Sequence, residues 1–160
     1  MAFALRSLLL LCGISALLTG VWSDFQVVKV PSCPKGWTRL NERCFLVVDK
    51  LENFADAEIA CLSLGGNLAS IRNAVEDEVV SALIVRFAST ENAWIGYNDI
   101  DTEGTFVWTD GTPPNTFNDF IGVPSNPNDD CVQTFGTTLS NWDDLDCDLT
   151  VPFVCATNVY

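Results

Sequence analysis

The chain has 160 residues, enough for one domain with an N-terminal extension. Its 21 Asp and Glu outnumber its 8 Lys and Arg, and the formal net charge of −13 repels phosphate. Nucleic acid and anionic membrane are therefore disfavoured as partners, while cations, basic proteins and neutral polar ligands remain. The absence of His removes imidazole acid–base chemistry and His-ligated zinc.

Taken in order, the chain opens with Arg6 and the apolar run Ser7 to Val21. Val21-Trp22-Ser23 then offers the residue sizes a signal peptidase reads, which predicts a secretory signal peptide over 1–23. The alternative is an uncleaved anchor, but Leu8 to Leu18 is shorter than the ~20 apolar residues a spanning helix needs. Cleavage removes Arg6, taking the charge from −13 to −14, and also removes Cys12. Cys33, Cys44, Cys61, Cys131, Cys147 and Cys155 remain, an even set that reads as a disulfide framework with its pairing open. No Asn-x-Ser/Thr sequon is present, and no Gly-X-Y repeat or heptad seam precedes the domain.

A short extended lead covers 24–32. Cys33-Pro34-Lys35-Gly36-Trp37 reads as a turn, and Arg43 to Val48 as a strand. Asn53 to Leu64 reads as a helix with Phe54, Ala57, Cys61 and Leu64 on one face, stopped by Gly65-Gly66. Asn67 to Ile71 is a short strand. A second helix runs from Ala74 to Phe87, capped by Asn73, with Glu76 placed for a capping box. Val75, Val79, Ala82, Leu83 and Phe87 form its expected buried stripe.

Short strands follow at Ala93 to Tyr97 and Thr105 to Thr109. Asp110-Gly111 and Pro113-Pro114 mark turns. Asn115 to Asn128 shows no period, and a loop that long is usually functional or disordered. Cys131 to Phe135 and Val151 to Ala156 close the set as strands. Early helices and late strands predict an α+β fold.

Acidic and amide residues concentrate in Val123 to Cys131 and in Asn141 to Cys147. Their oxygens suit a hard cation such as Ca²⁺. The same residue types also build solvated turns with no ion.

Several short motifs, in order, carry a resemblance. They are Cys-Pro-Lys-Gly-Trp at 33–37, Ala57-Glu58 with Cys61, and Gly-Gly-Asn-Leu-Ala-Ser-Ile at 65–71. Trp-Ile-Gly at 94–96, Phe-Val-Trp-Thr-Asp-Gly-Thr-Pro at 106–113, Asp-Asp-Cys-Val at 129–132 and Pro-Phe-Val-Cys at 152–155 complete them. The chain resembles the C-type lectin-like domain family over 33–159. It is most similar to small secreted single-domain lectins, including fish mucus lectins and type II antifreeze proteins. The resemblance implies the pairs Cys33–Cys44, Cys61–Cys155 and Cys131–Cys147, hence three disulfides on a fold of two helices, short antiparallel strands and a long loop region.

The resemblance also implies sites. In the family a Ca²⁺ binds sugar directly, using a Glu-Pro-Asn or Gln-Pro-Asp triplet, a downstream Glu and a Trp-Asn-Asp. The matching positions here are Val123-Pro124-Ser125, Asp129 and Trp142-Asp143-Asp144, with Pro124 and Trp142 as scaffold. Val123 has no donor or acceptor and Ser125 offers only a hydroxyl, so this primary site is degraded. A rival placement uses Asn126-Pro127-Asn128, which leaves a short return to Cys131. An auxiliary Ca²⁺ site is matched better, by Asp99, Glu103, Asn126, Asp129 and Asp130. The expected function is a secreted, extracellular lectin that binds glycans or glycoproteins in a Ca²⁺-associated way, with a role in innate recognition. The alternative is a lectin-like domain that binds a protein, mineral or ice surface instead. No enzyme is expected, since no nucleophile motif or cofactor fingerprint is present and Asp143-Asp144 is better explained as a ligand pair.

Overall fold

The computed structural model describes residues 30–114, 117–121, 126–136 and 141–160. The leader expected at 1–23, most of the lead, and Val123, Pro124 and Ser125 lie outside the described residues. The elements run β1 (Thr38–Leu40), β2 (Arg43–Glu52), α1 (Phe54–Ser63), β3 (Asn67–Leu68), α2 (Ala74–Phe87) and β4 (Asn92–Asn98). They continue with β5 (Val107–Trp108), β6 (Cys131–Phe135), β7 (Trp142–Leu145) and β8 (Val151–Asn158). The fold is α+β, as the early helices and late strands imply.

The strands form one sheet ordered β1-β2-β8-β4-β6-β7, with β3 beside β8 and β5 beside β4. Every pairing is antiparallel except β4 with β8, which run parallel where Trp94 meets Phe153. These two strands are the middle of the sheet and are buried on both faces. Side chains alternate along a strand, so each strand feeds two cores. Ala93, Ile95 and Tyr97 of β4 join Val154 and Ala156 of β8 under α2. Trp94, Phe153 and Cys155 point the other way and pack with Phe54, Ala57 and Cys61 of α1. Each such large apolar side chain stabilises the fold by roughly 1.5–3 kcal/mol.

The three disulfides follow the pairing implied by the resemblance. Cys61–Cys155 ties α1 to β8 across 94 positions of sequence. Closing a loop of that length restrains the unfolded chain by roughly 4–5 kcal/mol. Cys131–Cys147 fastens the start of β6 to the residues just after β7.

Local chemistry sets the helix ends. Asn53 caps α1 by accepting from Asp56 N, and Asn73 caps α2 by accepting from Val75 N and Glu76 N. Leu64 departs from expectation: it is the C-cap of α1 and exposed, because the helix has already ended at Ser63. Gly65 then takes φ +87°, the left-handed region that glycine enters without a Cβ penalty.

The buried stripe of α2 is rotated from the expected one. Leu83 is buried, but Val75, Ala82 and Phe87 are exposed and Val79 is only partly covered. The buried face runs through Glu76, Asp77, Val80, Ser81, Leu83 and Ile84. Counting apolar residues alone misplaced it, because two acids lie on the inner face and find partners there. Glu76 also does not close a simple capping box. Its Oε2 accepts from Arg72 N at 2.8 Å, one residue before the cap, and from Arg43 Nη1 at 2.7 Å. The strand expected over Asn67 to Ile71 is ladder-paired only at Asn67–Leu68, though Ala69 N still donates to Val154 O. That expected over Thr105 to Thr109 shortens to Val107–Trp108.

Candidate functional site

The β4–β6 ladder delivers the acids expected for a cation. Asn98 lies opposite Cys131, so the residue after β4 and the residue before β6 meet: Asp99 N donates to Asp130 O at 3.0 Å. Asp99 is 2 % exposed. Its Oδ2 accepts from Gly104 N at 2.7 Å, which folds the 99–105 turn around it with Gly104 at φ +74°. Its Oδ1 is buried with no hydrogen-bond partner. A buried carboxylate oxygen left unpaired is costly, and the cost falls if a cation sits against it.

Glu103, on the same turn, is close enough to feel its neighbours. Partial desolvation, then the charges of Asp99, Asp130 and Asp144, push its carboxyl above the usual range. Asp144 is also raised, by burial first; a backbone hydrogen bond opposes this and the charges of Asp143, Asp129 and Asp99 add to it. Asp143 and Asp144 lie on β7 opposite Gln133 and Val132, and as consecutive strand residues they point to opposite faces. Asn126 and Asp129 bond each other through Nδ2 and Oδ2, and Asp129 N donates to Asn126 O in the same turn.

The acids are thus neighbours that repel, without forming a cage. Among the described residues no three Asp, Glu, Cys or His side chains are arranged to hold a metal ion as they stand. The donor set still fits a hard cation: all oxygen, with Glu103 and Asp144 raised and one buried oxygen of Asp99 unpaired.

Trp142, expected as scaffold beside the primary site, is fully buried. Its ring packs edge-on against Trp108, Phe117 and Phe120, and its Nε1 donates to Asp77 Oδ1 at 2.9 Å. It cannot act as an exposed platform for a sugar ring. It holds β7, and so Asp143 and Asp144, against the core. The long loop returns beside it, with Trp142 N donating to Asp119 O and Ile121 N to Trp142 O.

A second polar centre was not legible from motifs. Arg43 is buried and donates to Glu76, to Ser70 O at 2.8 Å and to Ser70 Oγ at 2.9 Å. Ser70 Oγ in turn donates to Asp110 Oδ2 at 2.6 Å, and Asp110 Oδ1 accepts from Thr112 N. Burial pushes the Arg43 guanidinium below its usual value, opposed by the charge of Glu76. For Asp110 burial pushes upward, but hydrogen bonds from Ser70 and Thr112 and the charge of Arg43 outweigh it and hold the carboxyl low. Ser70 lies in the motif at 65–71 and Asp110 and Thr112 in that at 106–113, but from sequence Asp110-Gly111 reads only as a turn and nothing links these residues to Arg43.

Residues 50–157 match the Lectin C-type domain. The chain belongs to the C-type lectin domain family. It is 34% identical to the galactose-specific lectin nattectin of Thalassophryne nattereri, over 88% of this chain and 89% of that protein. It is 35% identical to the lactose-binding lectin l-2 of Anguilla japonica, over 78% of this chain and 77% of that protein. Among solved structures it resembles a calcium-independent type II antifreeze protein, with a TM-score of 0.73 and 29% identity over 83% of this chain and 99% of that one. Within the C-type lectin domain family, then, relatives include sugar-binding proteins and an antifreeze protein described as calcium-independent. Among the described residues of this C-type lectin domain no helix is long and apolar enough to cross a membrane.

Proposed function

We propose that this protein is a secreted lectin that binds glycans or glycoproteins with the help of Ca²⁺, and that it is not an enzyme. The observation that carries the reading is Asp99: a buried carboxylate with one oxygen unpaired, set among Glu103, Asp130 and Asp144. Asp99, Glu103, Asn126, Asp129 and Asp130 would hold the cation. Bound there, Ca²⁺ would neutralise their repulsion and fix the turn at 99–105 against the 126–130 turn. Asp143 and Asp144, on a strand tied to the core through Trp142, would serve the sugar-binding end. Similarity to two sugar-binding lectins supports a glycan ligand.

A second reading has its own support. Val123 and Ser125 stand where the family places its sugar-bonding triplet, and neither offers a carboxylate or an amide. A domain so altered binds a protein, mineral or ice surface in place of a sugar, in keeping with its likeness to an antifreeze protein. A glycan array run with Ca²⁺ and with chelator separates the two. Chelator-sensitive glycan binding supports the first reading; silence in both conditions supports the second. In the latter case Val123→Glu with Ser125→Asn should create chelator-sensitive retention on mannose resin. If the wild-type monomer already binds a simple sugar strongly, the triplet is Asn126-Pro127-Asn128 instead.

A further inference from the structure

One cavity shares no residue with the acidic site. It encloses about 410 Å³ between the α1–β3 turn, the end of β8 and the residues after β5. That volume lies in the range of small-molecule sites. Arg43, Asn67, Arg72, Asp110, Thr157 and Asn158 dominate its lining. Two of the chain's 8 Lys and Arg residues therefore meet at one cavity in a protein with 21 Asp and Glu.

The two guanidinium groups are held differently. Arg43 is buried, with its short hydrogen bonds to Glu76 and Ser70. Arg72 is 39% exposed at its side chain. Among the described residues its guanidinium reaches only Thr112 Oγ1 at 3.5 Å and Asp110 Oδ2 at 4.0 Å. A guanidinium bound to a carboxylate normally sits at about 2.7–2.9 Å, often through both nitrogens. Asp110 does not close on Arg72 in that way; its Oδ2 accepts from Ser70 Oγ and its Oδ1 from Thr112 N. The Arg72 fork is left with donors to spare at the mouth of a polar cavity.

The remaining lining narrows the ligand. The amides of Asn67 and Asn158 suit a ligand rich in hydroxyl groups better than an apolar one. One planar carboxylate matches the guanidinium fork. A doubly charged phosphate ester would meet more repulsion from Asp110 and from a chain of net charge −13.

We propose that this cavity is a second binding site, independent of calcium, for a carboxylate-bearing sugar of the uronic-acid class. The carboxylate is taken by Arg72 and the hydroxyls by Asn67 and Asn158. Arg43, fixed by Glu76 and Ser70, forms the rigid positive floor.

The test is an amide-shift titration of the full-length protein with glucuronic acid and with glucose, both in excess chelator so that any Ca²⁺-dependent binding is silent. Glucuronic acid should shift the amides of Asn67, Arg72, Thr157 and Asn158 saturably, at least tenfold more tightly than glucose. Arg72→Gln should weaken glucuronic acid at least tenfold and leave the glucose response unchanged. Because Arg72 is half exposed, the variant's own spectrum reports whether the fold persists. The proposal is overturned if glucose and glucuronic acid behave alike on the wild type. It is equally overturned if shifts fall only on 99–105 and 126–130, or if folded Arg72→Gln binds as tightly as the wild type.

Discussion

Trp142 and Asp77 are hydrogen-bonded at 2.9 Å across 65 positions of sequence, joining the strand of the acidic site to the inner face of α2. The bond satisfies a buried indole N–H that would otherwise lie unpaired in an aromatic cluster. Asp77→Leu should therefore cost about 1–3 kcal/mol, the usual cost of an orphaned buried donor. Asp77→Asn keeps an oxygen that can accept from the indole and should cost less. Urea unfolding of the two variants compares them, and equal midpoints would show that this bond does not anchor β7.

Glu76 and Arg43 make the other buried pair, at 2.7 Å. Glu76→Gln leaves a buried guanidinium without its counter-charge and should destabilise by about 3–5 kcal/mol. Replacing both partners by Met should cost less than that single change, because no charge is then stranded. A double substitution that is worse than Glu76→Gln would mean that the bonds from Arg43 to Ser70 matter more than the charge pair.

These two pairs explain what sequence could and could not convey. Strand positions were legible where burial alternates or is continuous, as in Cys131–Phe135; the first helix was legible from its apolar face and the Gly65-Gly66 stop, the second from its Asn73 cap. The inner face of α2 was not, since Glu76 and Asp77 read as solvent-facing until Arg43 and Trp142 are brought to them by distant strands. The acids Asp99 and Asp130 were picked out by resemblance, while their juxtaposition depends on the β4–β6 register, which no local pattern encodes. The Arg43–Ser70–Asp110 network was not legible as a network, although Ser70 and Asp110 fall in motifs of the resemblance, because its members lie 27 and 40 positions apart.

Gly66 provides a packing test. A Cβ there would lie 2.3 Å from Ala156 O and 3.0 Å from its carbonyl carbon, both backbone atoms that cannot swing aside. Gly66→Ala should thus push β8 away from the α1–β3 turn and cost about 1–3 kcal/mol, as overpacking does. A thermal melt unchanged by this substitution would show that the turn can shift freely past β8.

The acidic site makes the sharpest prediction, because its pH dependence has a definite sign. In metal-free protein Glu103 and Asp144 are raised, through desolvation first and then the charges of the neighbouring acids. Asp119 is raised too, by burial and by Asp77. A carboxyl raised on folding holds its proton where the unfolded chain has lost it. Stability therefore falls as pH rises from the ordinary carboxylate range, about 4, through the raised folded values. Asp110 works in the opposite sense, since its low folded value loses stability only as pH falls below that range. In chelator the melting temperature should accordingly drop as pH rises above the ordinary carboxylate range. With millimolar Ca²⁺ bound the charged acids are favoured, so the drop should vanish and the gap between the two curves should widen with pH. Asp99→Asn removes one of the charges that raise both Glu103 and Asp144. It should flatten the chelator curve and shrink the gap together. Parallel curves with and without Ca²⁺ at every pH would mean that these acids share no cation, and the calcium-associated reading of the protein would fall with them.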